Sequence, residues 1–201
     1  MSDERTVKYA NLLVEWLLQD GYTHCFFVAG GNNMHLLDGV RNQMTCVAFV
    51  HEVAAGIAAE YFNEVATDQR AFVLVTAGPG LTNITTAMAG AFMESRDLLV
   101  LGGQVKSTDL ADGGIRQRGI QEVDGIAMVR SVCVETMLME KPATRSEVLA
   151  VVHRGRTPRR GPVFIEICLD AQAAPVVRGE LEGDNTPVFA WDPPEADAGQ
   201  W

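Results

Sequence analysis

What this 201-residue sequence lacks excludes several chemistries at once. It has four cysteines, Cys25, Cys46, Cys133 and Cys168, with no C-x-x-C pair, and its histidines stand at no metal-ligand spacing. Neither a disulfide framework nor a zinc site is therefore indicated. Three of the thiols fall in apolar, strand-like runs, which suits buried cysteines in a reducing compartment. There is no block of Lys and Arg, and 16 basic against 26 acidic residues give a formal net charge of -10, which disfavours non-specific nucleic-acid binding. No apolar run approaches the ~20 residues of a membrane helix. The start, Met1-Ser2-Asp3-Glu4-Arg5, has no apolar core of the kind a secretory signal needs. A soluble cytoplasmic protein is the expectation.

Nucleotide and hydrolase signatures are missing as well. Gly78-Pro79-Gly80-Leu81-Thr82-Asn83 is Gly-rich, but no Lys follows it as in a P-loop, and Asn83 stands where a dinucleotide fingerprint needs its third glycine. No acid is placed to hold a ribose. No G-x-S-x-G elbow supports Ser/His/Asp catalysis. His51 reads more simply as a strand-end histidine facing solvent or a partner than as a general base.

What is present alternates between strand and helix. Residues 6–19 have the spacing of an amphipathic helix, with Val7, Ala10, Leu13, Val14, Leu17 and Leu18 on one face. Apolar strand-like runs follow at 25–28, 46–50, 71–76, 98–101, 132–139 and 163–169. Helical segments lie between them at 34–42, 52–66, 82–93 and 146–154, with a short one at 123–129. This order predicts a single α/β domain over residues 1–172, with a mostly parallel sheet of about six strands covered by helices on both faces. Residues 106–122 are polar and Gly-rich and read as a long functional or mobile loop. From Ala171 onward Pro, Gly and acids dominate, so residues 173–201 read as a linker or tail.

The chain turns on the stretch from Val47 to Glu60, where an apolar strand runs into a helix of small residues with one carboxylate, Glu52, at the junction. Flanked by Val50, Val53, Ala54 and Ala55, that acid should sit in a poorly hydrated place, where a carboxyl becomes a better proton donor or acceptor near neutrality. Taken alone, it reads more simply as a first-turn acid that suits the helix dipole. Its setting decides between these readings. The Gly30-Gly31 turn, Glu52, the Gly78-Pro79-Gly80 turn and Gly103-Gln104 all follow strands, and loops at the carboxyl ends of a parallel sheet share one crevice.

These motifs, in this order, resemble the N-terminal pyrimidine-binding domain of thiamine diphosphate enzymes. The resemblance covers roughly residues 7–170. Its pieces are Gly30-Gly31, His51-Glu52 with the Ala-rich helix, and Thr76-Ala77-Gly78-Pro79-Gly80-Leu81-Thr82-Asn83. Then come Leu99-Val100-Leu101-Gly102-Gly103-Gln104-Val105, Ile120-Gln121-Glu122 and Gly161-Pro162-Val163-Phe164-Ile165-Glu166-Ile167. The stretches at 78–83 and 102–105 look most like acetolactate synthase, within a group that includes 2-oxo acid decarboxylases.

The resemblance implies that Glu52 hydrogen-bonds N1′ of the cofactor's aminopyrimidine. That bond favours the imino tautomer, whose 4′-nitrogen removes the proton from thiazolium C2. The activated cofactor then attacks the carbonyl of a 2-oxo acid, and CO₂ leaves. It further implies that Gly30, Pro79 and Asn83 line the pyrimidine pocket and that Gln121 reaches the substrate side. Ala29 stands where the family commonly has Pro, so the first turn is expected to be looser.

Relatives carry the diphosphate and Mg²⁺ on a second α/β domain with a G-D-G…N motif, of which Gly183-Asp184-Asn185 is only a superficial echo. The expectation is a bicomponent enzyme in which this chain pairs two-to-two with a separate diphosphate-binding subunit, without FAD. Carboligation after decarboxylation is the leading activity. Simple 2-oxo acid decarboxylation and a non-catalytic regulatory or scaffold module are the alternatives. Val188-Phe189-Ala190-Trp191 and Trp201 are apolar anchors that could dock on the partner.

Overall fold

In the computed structural model residues 4–183 are described. In chain order the strands are β1 (Thr6–Lys8), β2 (Tyr22–Phe27), β3 (Thr45–Ala48), β4 (Arg70–Thr76), β5 (Leu98–Gln104), β6 (Glu135–Met139), β7 (Pro162–Cys168) and β8 (Pro175–Val177). The helices are α1 (Tyr9–Gln19), α2 (Met34–Val40), α3 (Glu52–Val65), α4 (Pro79–Met93), α5 (Gly125–Val129), α6 (Arg145–Arg154), α7 (Leu169–Ala173) and α8 (Arg178–Glu182). Six strands form one sheet in the order β3-β2-β4-β5-β7-β6. Every neighbouring pair in it is parallel. This is the α/β architecture predicted from the alternation of apolar runs.

The period-two geometry of strands sorts side chains to the two faces of this sheet. Phe72, Leu74, Leu99, Leu101, Val163, Ile165 and Ile167 join one core with α1, α2, α6 and α7. Val73, Val75, Leu98, Val100 and Phe164 join the other with α3 and α4. Both faces of the central strands are therefore apolar, which explains why the sequence shows continuous runs there rather than alternation. On β7 the second face continues from Phe164 to Glu166, so a carboxylate enters a row that is otherwise hydrophobic.

Four boundaries differ from the sequence reading. Residues 6–8 are not helical but form β1, because Pro175-Val176-Val177 lies antiparallel beside them. Residues 175–177 of the segment read as a tail pair with this strand. Tyr9 N donates to Ala174 O at 2.9 Å, and Arg178 pairs with Glu15 of α1 at 2.6 Å, so residues 174–182 are tied to the domain. The segment 184–201, with Val188, Trp191, Trp201 and most of the Gly183-Asp184-Asn185 echo, lies outside the described residues. Helix α4 starts at Pro79 rather than at 82, since proline's fixed φ and missing N–H suit the first helical position. Strand β5 runs on through Gly102-Gly103-Gln104, paired with β7 to its end.

Helix α1 is buried more widely than one face: Tyr9, Leu12 and Trp16 are fully covered along with Ala10, Leu13, Val14 and Leu17. Burial of a large side chain of this kind stabilises by roughly 1.5–3 kcal/mol. The Tyr9 hydroxyl donates to Ala143 O at 3.0 Å and accepts from Ala143 N at 3.1 Å, which satisfies the buried phenol. Of the free thiols, Cys25 and Cys168 are buried and Cys46 lies exposed on the edge strand β3. Among the described residues no helix is long and apolar enough to cross a membrane.

Candidate active site

All four features singled out from the sequence lie at the carboxyl edge of the sheet, three as turns and Gly103-Gln104 as the end of β5, and Thr76 at the end of β4 joins two of the turns. The Gly30 turn packs directly on Thr76: a Cβ at Gly30 would lie 2.5 Å from the threonine side chain. The Thr76 hydroxyl accepts from Asn32 N at 3.2 Å. On its other side Thr76 touches the start of α4, where a Cβ at Gly80 would meet its Cγ2 at 3.1 Å and Glu52 Oε1 at 3.4 Å. Gly30, Thr76, Gly80 and Glu52 thus form one continuous wall.

The first turn is not loose, despite Ala29. Gly30 N donates to Asn33 Oδ1 at 3.0 Å, and the fully buried Asn33 donates to Val28 O at 3.2 Å. Gln172 of α7, also fully buried, donates to Asn32 O at 2.8 Å. Beneath the turn, a Cβ at Gly103 would come within 2.0 Å of that same carbonyl, so only glycine lets β5 run under it. These side-chain bonds replace the rigidity that proline supplies elsewhere.

Glu52 is the first residue of α3 and is 7% exposed. His51 caps the helix from outside, its ring Nδ1 accepting from Val53 N at 3.2 Å. Asn83, one turn into α4, donates from Nδ2 to Glu52 Oε2 at 2.9 Å. Among the described residues Oε1 has no hydrogen-bond donor and no cation pairs with the carboxylate. The result is a desolvated acid with one oxygen fixed by an amide and the other left open beside Gly80. That geometry matches a heteroaromatic ring nitrogen sharing a proton with the acid, and the absence of a Cβ at Gly80 leaves room for a flat group. The residues present therefore fit an aminopyrimidine.

Gln121 reaches the same turn from the other side. It is exposed and left-handed, with φ 61°. Gly78 is also left-handed, at φ 68°, and a Cβ there would lie 2.7 Å from Gln121 O and 2.9 Å from its Cβ. Pro79 is exposed between Gly78 and Gly80. Gly30, Glu52, Pro79, Asn83 and Gln121 are thus brought together along one edge.

The segment 106–122 is less open than its composition implies. Ser107 donates from N at 2.9 Å and from Oγ at 2.5 Å to Asp170. The Glu122 carboxylate accepts from the backbone N–H groups of Ala111, Arg118 (2.8 Å) and Gly119 (3.0 Å). Burial acts to raise Glu122, but these three amides outweigh it and hold the carboxyl below its ordinary range. Between this segment and the sheet edge lies a cavity of about 330 Å³, whose walls include Gln104, Arg116, Glu122, Asp124 and Glu166. Burial first, then the nearby Asp124, push Glu166 up to about 8.

Sequence reasoning assigned no role to Thr76, Asn32, Gln104 or Glu166. Glu166 carried a readable signal, an acid inside Val163-Phe164-Ile165 and Ile167-Cys168. Thr76 and Asn32 carried none, because their importance lies in which turns they join. Among the described residues no cluster of His, Cys, Asp and Glu stands in a position to hold a metal ion.

Comparison with known proteins identifies the family of the chain. Residues 7–128 match the family described as "Thiamine pyrophosphate enzyme, N-terminal TPP binding domain". The acetolactate synthase large subunit of Buchnera aphidicola subsp. Acyrthosiphon pisum is 28% identical over 90% of this chain and 30% of its own length. The acetolactate synthase isozyme 3 large subunit of Escherichia coli K12 is 32% identical over 80% of this chain and 28% of its own. For the mitochondrial acetolactate synthase catalytic subunit of Saccharomyces cerevisiae the figures are 32%, 74% and 21%. The chain therefore spans less than a third of the length of these relatives. It belongs to the thiamine pyrophosphate enzymes and carries the fold of their N-terminal cofactor-binding domain.

Proposed function

We propose that this chain is the pyrimidine-binding half of a thiamine diphosphate-dependent carboligase. The enzyme decarboxylates a 2-oxo acid and joins the remaining acyl unit to a carbonyl acceptor, as the names of the acetolactate synthase relatives indicate for those proteins. A partner subunit holds the diphosphate and its Mg²⁺, two copies of each chain forming the complex, without FAD.

One observation carries this reading: the buried Glu52 with Oε2 held by Asn83 and Oε1 open to the Gly80 face. When bound, thiamine diphosphate supplies the carbon nucleophile and the electron sink. This chain's part is orientation and proton placement. Glu52 would hold the ring nitrogen N1′ by a hydrogen bond, and Asn83, bound to Oε2, would leave Oε1 free for it. Gly30 and Pro79 border the ring, and Gln121 faces the substrate side.

The outer surface of α3, running back from Glu52 toward the amino end of the sheet, supports a partner. Ile57, Tyr61 and Val65 follow one another four residues apart on α3 and are 46, 53 and 76% exposed, and Met93 on α4 is 70% exposed. Val50, just before Glu52, is fully exposed. An exposed apolar row at four-residue spacing on α3 suits contact with another chain.

Co-expression with a chain bearing a G-D-G…N α/β domain tests the reading. The expected result is a two-plus-two complex that binds thiamine diphosphate with Mg²⁺ and converts 2-oxo acids to ligated products. Cofactor-dependent turnover by a homodimer of this chain would contradict the partner assignment. Release of the simple aldehyde alone would replace carboligation with decarboxylation.

A further inference from the structure

We propose that Glu166, together with Gln104, is a positioning residue for Gln121: the buried pair clamps the chain just past Gln121 and holds it against the Gly78–Pro79 turn. The inference rests on the reading that Gln121 faces the substrate.

Glu166 is only 2% exposed, on the face of β7 otherwise occupied by Phe164, and among the described residues it has no cationic partner. Its neighbour across the sheet edge is Gln104, itself 2% exposed. The Gln104 side chain is used completely. Its Oε1 accepts from Val105 N at 2.9 Å, and its Nε2 donates at 2.9 Å both to Glu166 Oε1 and to Val123 O. Glu166 thereby fixes the amide that fixes the Val123 carbonyl, two residues beyond Gln121. Gly125 lies flat on the acid, and a Cβ there would meet Glu166 Oε1 at 2.3 Å. An apolar residue at position 166 would fill the same space but leave one Gln104 N–H without an acceptor.

On the near side of Gln121 the chain is held just as firmly. Asn32 Nδ2 donates to Ile120 O at 3.2 Å, and Glu122 gathers the three backbone amides described above. Gln121 lies between these anchors in a conformation that L residues avoid, and such a residue persists where its surroundings over-determine it.

The groups facing Glu166 give the clamp a pH signature. From β5 comes the neutral Gln104, from α4 the apolar Leu81, and from the loop ahead of α5 Asp124, whose Oδ1 caps that helix at Ala127 N. Arg116 and Glu122 line the cavity from the loop. With its pKa pushed up to about 8, the acid carries its proton at neutral pH. Ionisation then sets a negative charge on the buried Glu166 near the exposed Asp124 carboxylate, a repulsion that residues 123–125 relieve by moving away against the pull of the Gln104 amide.

Amide hydrogen exchange of residues 119–125 in the full chain, corrected for intrinsic rates, tests the clamp between about pH 6 and about pH 9. The wild type is expected to lose about tenfold in protection as the pH passes about 8, the loss of one hydrogen bond's worth of order. Glu166→Gln should keep its protection across that range. Glu166→Leu should lose about tenfold at every pH in residues 119–125, beyond any loss in the core strands. Wild-type protection in Glu166→Leu, or an unchanged pH step in Glu166→Gln, would overturn the proposal. The measurement needs neither cofactor nor partner, so it stands apart from the assignment of Gln121. Unchanged turnover in Gln121→Ala, with the exchange results as expected, would remove that assignment and leave the clamp.

Discussion

The two ends of the parallel sheet bury acids in opposite ways. At the amino end, Asp20 accepts from Arg156 and His153 at 2.7 Å each, and Asp97 lies between Arg70 at 2.5 Å and Arg160 at 3.3 Å. At the carboxyl end, Glu52 and Glu166 are buried against the amides of Asn83 and Gln104, and among the described residues neither forms an ion pair. The basic neighbours of Asp20 hold its carboxyl below the ordinary range, and such ion pairs anchor structure. Glu166, with an amide for a neighbour, is pushed up to about 8, and Glu52 keeps an oxygen open toward the Gly80 face. The helices enforce the division. Their C-termini point to the amino end, where arginines suit the dipole, and their N-termini open onto the carboxyl end.

This contrast predicts that substitutions at the two ends fail differently. The largest effect belongs to Glu52→Gln, which keeps the shape and the Asn83 contact but removes the ionisable oxygen. Turnover of the assembled enzyme should fall by about 10²–10⁴-fold, with an unchanged melting temperature measured in parallel. At the other end, Asp97→Ala should cost about 2–3 kcal/mol in denaturant unfolding, because Arg70 and Arg160 lose their shared acceptor, while turnover per folded molecule is kept.

Titration sharpens the comparison further. Glu166 binds its proton more tightly in the fold than in the unfolded chain, so its contribution to stability is complete below its ordinary pKa and is lost as pH rises through about 8. Glu166→Gln should therefore flatten the decline in stability of the wild type between mildly acidic and mildly alkaline pH. Asp20 behaves in the reverse sense. Burial acts to raise it, but hydrogen bonds and charges from His153 and Arg156 prevail and hold the carboxyl below its ordinary range. Its contribution is present above its ordinary pKa and lost as pH falls through the folded value. Asp20→Asn should remove that part of the acid sensitivity, a smaller effect of about 1–2 kcal/mol in urea titrations at low pH against neutral pH.

Much of the carboxyl end was legible in the sequence, and little of the amino end was. Glu52 and the Gly30 and Gly78–Gly80 turns follow strands, where residue type and position in the strand–helix order carry meaning without coordinates, and the family resemblance singled out Pro79, Asn83 and Gln121. Their bracing did not show, because Thr76 and Asn32 act across 44 residues of chain and Gln172 reaches Asn32 across 140. The ion pairs of the amino end are of the same kind: Asp20 meets Arg156 across 136 residues. The helix read into residues 6–8 failed for a similar reason. Apolar spacing there is compatible with helix, but the strand partner 175–177 lies at the far end of the fold. The loop at 106–122 looked mobile because its polar residues satisfy one another locally, and composition alone does not distinguish that from solvation.

The central claim is that Glu52 is kept free of cations so that it can share a proton with the cofactor's pyrimidine. Hydrogen–deuterium exchange at C2 of bound thiamine diphosphate, followed by NMR after acid quench in the assembled enzyme, addresses it most directly. The account predicts that Glu52→Gln slows this exchange by about 10²–10⁴-fold while cofactor binding is retained. Exchange as fast as in the wild type, with cofactor bound, would contradict it.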